Sequence, residues 1–159
     1  MSRQWRLSAI VLLLTWPVLV DAIADSVHAS ARSEVGRPEF ATVEFITVEE
    51  LKSKIASSER VIVIDVRSTG SYTGSNDRIK GAIHVKLRRL KARLAHPPLK
   101  NVARDTEVIT YCACPSDESS VHAAQVLLNA GFKRVRVLKG GWQEWLKAGG
   151  PVEPRPRVL

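Results

Sequence analysis

Apolar positions along this chain fall into three kinds of run. The first, Leu7–Val20, is mostly hydrocarbon, with Arg3 and Arg6 before it and Ala22-Ile23-Ala24 after it. The second kind is short and rich in β-branched residues: Val61-Ile62-Val63-Ile64-Asp65-Val66, Ala82–Val85, Glu107–Cys112 and Lys133–Leu138. A continuous run of this sort suits a strand buried on both faces. The third kind recurs at helical spacing. Leu51 and Ile55 share one face, and Leu87, Leu90 and Leu94 share another over Lys86–Ala95. Thr47 followed by Glu50 is a capping box that starts the first of these helices at Val48, and Ser57-Ser58 ends it. Gly70, Gly74, Ser75 and Asn76 mark a loop with one short helix before it. Pro97-Pro98 stops the Leu87 helix. Ser119 or Ser120 caps a further helix to Ala130, closed by Gly131, and Gly140-Gly141 turns the chain into a last one carrying Trp142, Trp145 and Leu146. Strands alternating with helices predict an α/β fold, a mostly parallel sheet with helices on both faces. Ligands of such sheets bind beyond the carboxyl ends of the strands. Two segments fall there, Asp65–Arg67 and Cys112–Ser120.

The first apolar run changes the picture of where the chain begins its work. A basic start, an apolar stretch and a small-x-small site are the three parts of a secretory leader. Cleavage is expected after Ala24. The rival is an uncleaved anchor, but the run is shorter than the ~20 residues that span a bilayer, and Pro17 interrupts it. This region has no Cys for a lipoprotein anchor and no Arg-Arg pair, so the general export route is expected, with a bacterial periplasm as destination. The organisation expected is therefore a leader at 1–24, a flexible tail at 25–41, one domain at 42–151 and a closing tail at 152–159.

Composition agrees with one globular domain: 159 residues, 45% hydrophobic and 25% charged. The formal charge is +8, and loss of Arg3, Arg6 and Asp21 with the leader leaves +7. Two cysteines and four histidines exclude a disulfide framework and a four-cysteine zinc site. The cysteines stand one residue apart, at 112 and 114, which is unlike a staple between distant segments.

Cys114 leaves the third predicted strand and opens the loop Pro115-Ser116-Asp117-Glu118-Ser119-Ser120, after which a helix follows. Strand–loop–helix geometry turns successive N–H groups inward, and the helix start adds partial positive charge. A thiol held there ionises more readily and becomes a nucleophile. The same cradle stabilises a persulfide without any metal or organic cofactor. The plain alternative is a small, inert, buried Cys.

The order Asp65-Val66-Arg67, Ile79-Lys80-Gly81-Ala82-Ile83, Tyr111-Cys112, Ala130-Gly131-Phe132 and Leu138-Lys139-Gly140-Gly141-Trp142 resembles a rhodanese-like domain from about Phe45 to Pro151. The resemblance implies a five-stranded, mostly parallel sheet. It also implies a catalytic cysteine that takes sulfane sulfur as a persulfide and hands it to a thiol or cyanide. The donor would be a small sulfur-containing anion or a persulfide. Family spacing from the cysteine to the Gly-Phe at the helix end fits Cys114 without a gap, whereas Cys112 needs two inserted residues.

The chain departs from the family pattern. Its loop carries Asp117 and Glu118 and no cation, which opposes an anionic donor by like charge. Arg78 stands where a His is usual, and either Arg78 or Arg67 is a candidate to supply the missing charge. Asp65 and Arg67 are read as supporting residues that hold the site in shape. A phosphatase of the same fold needs Arg six residues beyond its Cys; Ser120 and Glu118 occupy those positions here. Two other readings stay open. One is a binding module of this fold with little turnover. The other is a thiol–disulfide protein using Cys112 and Cys114, since an exported chain meets an oxidising compartment. The expectation adopted is that Cys112 points to the core and stays reduced.

The acid-free segment Lys86–Arg104, with seven Lys or Arg, is read as a solvated helix face rather than an anion-attracting patch. Nucleic acid is not expected as a partner, peripheral membrane contact is the weaker alternative, and a monomer is expected. His122, in the first turn of the helix after the loop, is read as a surface residue rather than a proton carrier.

Overall fold

The structure of the protein is a computed structural model that describes residues 42–156. The expected leader at 1–24, the tail at 25–41 and residues 157–159 lie outside the described residues. In chain order the elements are β1 (Glu44–Ile46), α1 (Val48–Ala56), β2 (Val61–Asp65), α2 (Thr69–Thr73), β3 (Asp77–Ile79), β4 (Ile83–His84), α3 (Leu90–Arg93), β5 (Glu107–Tyr111), α4 (Glu118–Asn129), β6 (Arg134–Leu138), α5 (Gly141–Lys147) and β7 (Val152–Pro154). Five strands form one parallel sheet in the order β1-β6-β5-β2-β4. The α/β class and the five-stranded parallel sheet are as expected.

Alternation along β5 divides the core. Val108 and Cys112 face a cluster with Leu90, Leu94, Ala123, Ala124 and Leu127, while Ile109 and Tyr111 face Leu51, Trp142 and Trp145 on the other side. Side chains of period two reach opposite faces of a sheet, so neighbouring residues serve different helix layers. Only the Thr47 half of the expected capping box is made at α1: the Glu50 N–H donates to Thr47 Oγ1 at 3.1 Å, while the Glu50 carboxylate pairs with Arg136 at 2.8 Å.

Several elements differ from the sequence reading. The helix expected over Lys86–Ala95 is a 3-10 turn, Leu87–Arg89, followed by a single α turn, α3. The fourth helix begins at Glu118, not after Ser119 or Ser120. Its cap is Asp117, in the left-handed region at φ 55°, a conformation that Asp tolerates better than most residues. Strand β1 was not anticipated, because a three-residue strand carries too little pattern. The segment from 152 is not a loose tail. Val152–Pro154 pairs antiparallel with β3, and Arg155 donates from its backbone to Asn76 and from Nε to the Ser75 carbonyl at 2.8 Å. A two-stranded ribbon leaves outward N–H positions unpaired, so Pro154 is accommodated there.

Candidate active site

Cys112 follows the last residue of β5 and continues its alternation, so its side chain turns under α4 and is only 1% exposed. Cys114 has left the strand and is half-buried. The two sulfurs are joined as a disulfide, with Cα atoms 5.7 Å apart. Cys112 thus does point to the core, but it is not free. The chain bends at Ala113 and Cys114 just after β5, and that bend brings the second sulfur back over the first.

The loop has a defined internal order. The Cys114 N–H is directed at the Cys112 sulfur at 3.4 Å. The Ser120 hydroxyl lies 3.5 Å from that sulfur but only 2.8 Å from the Asp117 carbonyl. A hydroxyl has one hydrogen, so the shorter bond holds it while the disulfide is closed. The Asp117 N–H donates to the Cys114 carbonyl at 3.3 Å and closes the turn. The donors found around sulfur therefore converge on Cys112, deeper than the Cys114 position for which the inward ring was expected.

Asp117 does not project toward an incoming anion. Its side chain is turned inward, at 6% exposure, and its Oδ2 accepts the Gly140 N–H at 2.8 Å. It clamps the loop to the start of α5. Pro115, Ser116 and Glu118 are exposed, Ser119 is half-buried and Ser120 is buried. The Trp142 N–H donates to the Cys112 carbonyl at 2.8 Å, so the Gly-Gly turn grips the cysteine segment at two points.

Asp65 and Arg67 form a buried ion pair on the opposite face. Arg67 Nη2 approaches Asp65 Oδ2 at 2.7 Å, and Nε bonds both carboxylate oxygens at 3.0 Å. The sheet register sets Asp65 beside Tyr111, whose hydroxyl donates to Asp65 Oδ2 at 2.8 Å. Burial alone would raise the Asp65 carboxyl. His84, with Nδ1 3.8 Å from Oδ1, and the much closer Arg67 outweigh it and hold the carboxyl below its ordinary value. Burial, and then the Asp65 charge, pushes the Tyr111 phenol up, so it remains a donor. The Arg67 guanidinium also lies 4.2 Å from the centre of the Trp142 ring. These contacts join the ends of β2 and β5 to α5. Arg78 is engaged elsewhere, paired with Glu153 of β7 at 2.8 Å.

A cavity of 170 Å³ at the cysteines is lined by Ser68, Ser71, Cys112, Ala113, Cys114 and Ser119. A second, of 410 Å³, shares Ser68 and Ser119 with it and adds Val66, Arg67, Thr69, Lys86, Leu87, Arg88 and His122. Among the described residues, no group of three His, Cys, Asp or Glu is placed to hold a metal ion.

Comparison with known proteins agrees with this arrangement. Residues 47–148 match the rhodanese-like domain family, a stretch that holds the disulfide loop, the Asp65–Arg67 pair and the Gly-Gly turn. The chain belongs to the rhodanese-like domain family. This rhodanese-like domain is 27% identical over 110 residues to a sulfurtransferase of Allochromatium vinosum, covering 69% of this chain and 94% of that one. It is 45% identical over 65 residues to the thiosulfate sulfurtransferase YnjE of Escherichia coli, where the match covers 41% of this chain and 14% of that protein. Among solved structures it resembles the Alr3790 protein of Anabaena, with a TM-score of 0.59 and 28% identity over 69% of this chain and 82% of that one.

Two placements in this rhodanese-like domain come from the fold rather than from the sequence. Lys86 and Arg88 remain on a solvated face, half-buried and exposed respectively, and that face also lines the larger cavity next to the cysteines. The signal available was their position directly after the strand Ala82–Val85, at the sheet end where ligands bind. The second is the clamp of Asp117 onto Gly140, which joins residues 23 apart in sequence.

Proposed function

We propose that this protein is an exported, single-domain sulfurtransferase in which Cys114 carries sulfane sulfur as a persulfide. The observation that carries the reading is the half-buried Cys114 at a cavity beyond the carboxyl end of β5, inside a rhodanese-like domain. The disulfide is the resting form, and a thiol reductant must open it first. The Cys114 thiolate then attacks the outer sulfur of a donor such as thiosulfate. The donor S–S bond breaks, sulfite leaves with the bonding electron pair, and Cys114 holds the outer sulfur as a persulfide. A thiolate or cyanide attacks that outer sulfur and returns Cys114 as thiolate. Lys86 and Arg88 supply the positive charge that the loop itself lacks, and Asp65 and Arg67 support the frame without touching the donor.

The test is a single-turnover measurement. Reduced, desalted protein mixed with thiosulfate releases a stoichiometric burst of sulfite, and Cys114→Ser releases none. No burst from the wild type, or an undiminished one from Cys114→Ser, overturns the reading. Export is checked by N-terminal sequencing of the protein recovered from a bacterial periplasm. Asp25 at the first position supports the leader, and a retained Met1 contradicts it.

A further inference from the structure

Cys112 has no task in simple sulfur transfer, yet its sulfur reaches Cys114. We infer that Cys112 is a resolving thiol, which discharges the Cys114 persulfide as hydrogen sulfide and closes the Cys112–Cys114 disulfide. This rests on the proposed loading of Cys114 and adds a second outcome to it, the reduction of sulfane sulfur to sulfide.

Three observations carry the inference. First, the two sulfurs are bonded with the Cα atoms 5.7 Å apart, inside the span that a disulfide bridges. The backbone that presents Cys114 to the cavity therefore already permits closure. Second, the two positions differ in access. Cys112 is 1% exposed and packed against Ala123 and Ala124, whereas Cys114 is half-buried and opens the turn. A donor from solution meets Cys114 first, and Cys112 is reached mainly from within. Third, the Cys114 N–H points at the Cys112 sulfur at 3.4 Å, and the Ser120 hydroxyl stands within reach of it at 3.5 Å. When the disulfide opens, a thiolate at Cys112 competes for the Ser120 hydrogen now held by the Asp117 carbonyl, and both donors favour the anion.

The step balances. The Cys112 thiolate attacks Sγ of the Cys114 persulfide. The bond between Sγ and the outer sulfur breaks, and the outer sulfur leaves with the electron pair as hydrosulfide. Two thiols lose two electrons together, and the sulfane sulfur gains them. A dithiol reductant restores both thiols for the next cycle. Attack from a residue two positions away needs no encounter, which favours it over a dilute external acceptor.

The experiment uses reduced, desalted protein with thiosulfate under anaerobic conditions and no added thiol, and reads sulfite, sulfide and intact mass together. The wild type is expected to release sulfite and then sulfide in equal amounts, and to end two hydrogens lighter. Cys112→Ser is expected to give the sulfite burst, retain one extra sulfur atom and release sulfide only at background. Cys112→Ala, which suits the apolar surroundings, gives the same result if Ser perturbs folding. A wild type that keeps its extra sulfur and releases no sulfide overturns the inference while leaving the transferase reading intact. Sulfide from the Cys112 variants at the wild-type rate overturns it as well. Absence of the sulfite burst in every protein overturns the loading reading beneath it.

Discussion

The N–H of Trp142 donates to the carbonyl of Cys112 at 2.8 Å, so the start of α5 is tied to the residue that carries the deeper sulfur. That bond requires the Gly140-Gly141 turn to lie against β5. Gly141 has φ +50°, and a Cβ there would strike the Cys112 carbonyl oxygen. Gly141→Ala therefore pays twice, in left-handed strain and in displacement of the cysteine segment. We expect a loss of about 2–3 kcal/mol in urea unfolding and a sulfite burst reduced at least in rate. Gly131 is the control. Its φ is +88°, but a Cβ there meets nothing within 4 Å, so Gly131→Ala should cost strain alone and leave the burst rate unchanged.

Asp117 and Glu118 look alike in sequence and differ in the fold. Asp117 is an inward clamp on the Gly140 N–H, while Glu118 is exposed in the first turn of α4. Asp117→Ala leaves that N–H without its acceptor and puts Ala at φ 55°. A loss of about 1–3 kcal/mol is expected, together with slower sulfur loading. Glu118→Gln should stay within about 0.5 kcal/mol of the wild type and lower the KM for thiosulfate slightly, because one negative charge near the loop is gone. A lower KM with no change in stability is the checkable signature; a fall in stability equal to that of Asp117→Ala would contradict it.

The contrast shows where sequence reasoning ends. Continuous apolar runs at Val61–Val66 and Glu107–Cys112 dictate strands buried on both faces, because few other structures bury consecutive β-branched side chains. Alternation along the strand would place Cys112 inward once β5 is accepted. Three features need tertiary contact to be seen. Strand β1 exists because Glu44–Ile46 lies along β6, strand β7 because β3 offers it an edge, and the orientation of Asp117 because Gly140 returns from a distant segment. Charge counting in the loop makes Asp117 a repelling group, and only the fold shows that its carboxylate turns inward, with Oδ2 accepting the Gly140 N–H.

The Asp65–Arg67 pair makes a pH prediction with a definite sign. The folded Asp65 carboxyl is held below its ordinary value of 3.8. Its contribution to stability is thus complete above that value and is lost as pH falls through the lower folded one. Glu107 acts in the same sense. Burial opposes it, but Arg136 and then Lys54 hold it below 4.5. Urea midpoints should therefore be flat from neutral pH down to about 5 and fall progressively below 4. Arg67→Met removes the partner and leaves a buried carboxylate unpaired, with an expected cost of about 3–5 kcal/mol at neutral pH. Because Asp65 can then relieve its strain by taking a proton, the variant's deficit should narrow as pH is lowered. A deficit that is independent of pH would show that the pair contributes packing alone.

Lys86 and Arg88 offer the last and most direct test of how an anion reaches the cysteines. Neither pairs with a carboxylate in the salt bridges of the described residues, and both line the 410 Å³ cavity that shares Ser68 and Ser119 with the cysteine cavity. Unpaired cations at a cavity wall raise the local concentration of anions, and salt screens the effect. Replacing both by Ala should raise the KM for thiosulfate several-fold and leave kcat close to that of the wild type, since neither side chain takes part in breaking the S–S bond. The wild-type KM should climb with ionic strength, and that of the double variant should not. An equally steep salt dependence in both proteins would place the attracting charge elsewhere. A fall in kcat at unchanged KM would mean that these residues act on the reacting sulfur itself rather than on its delivery.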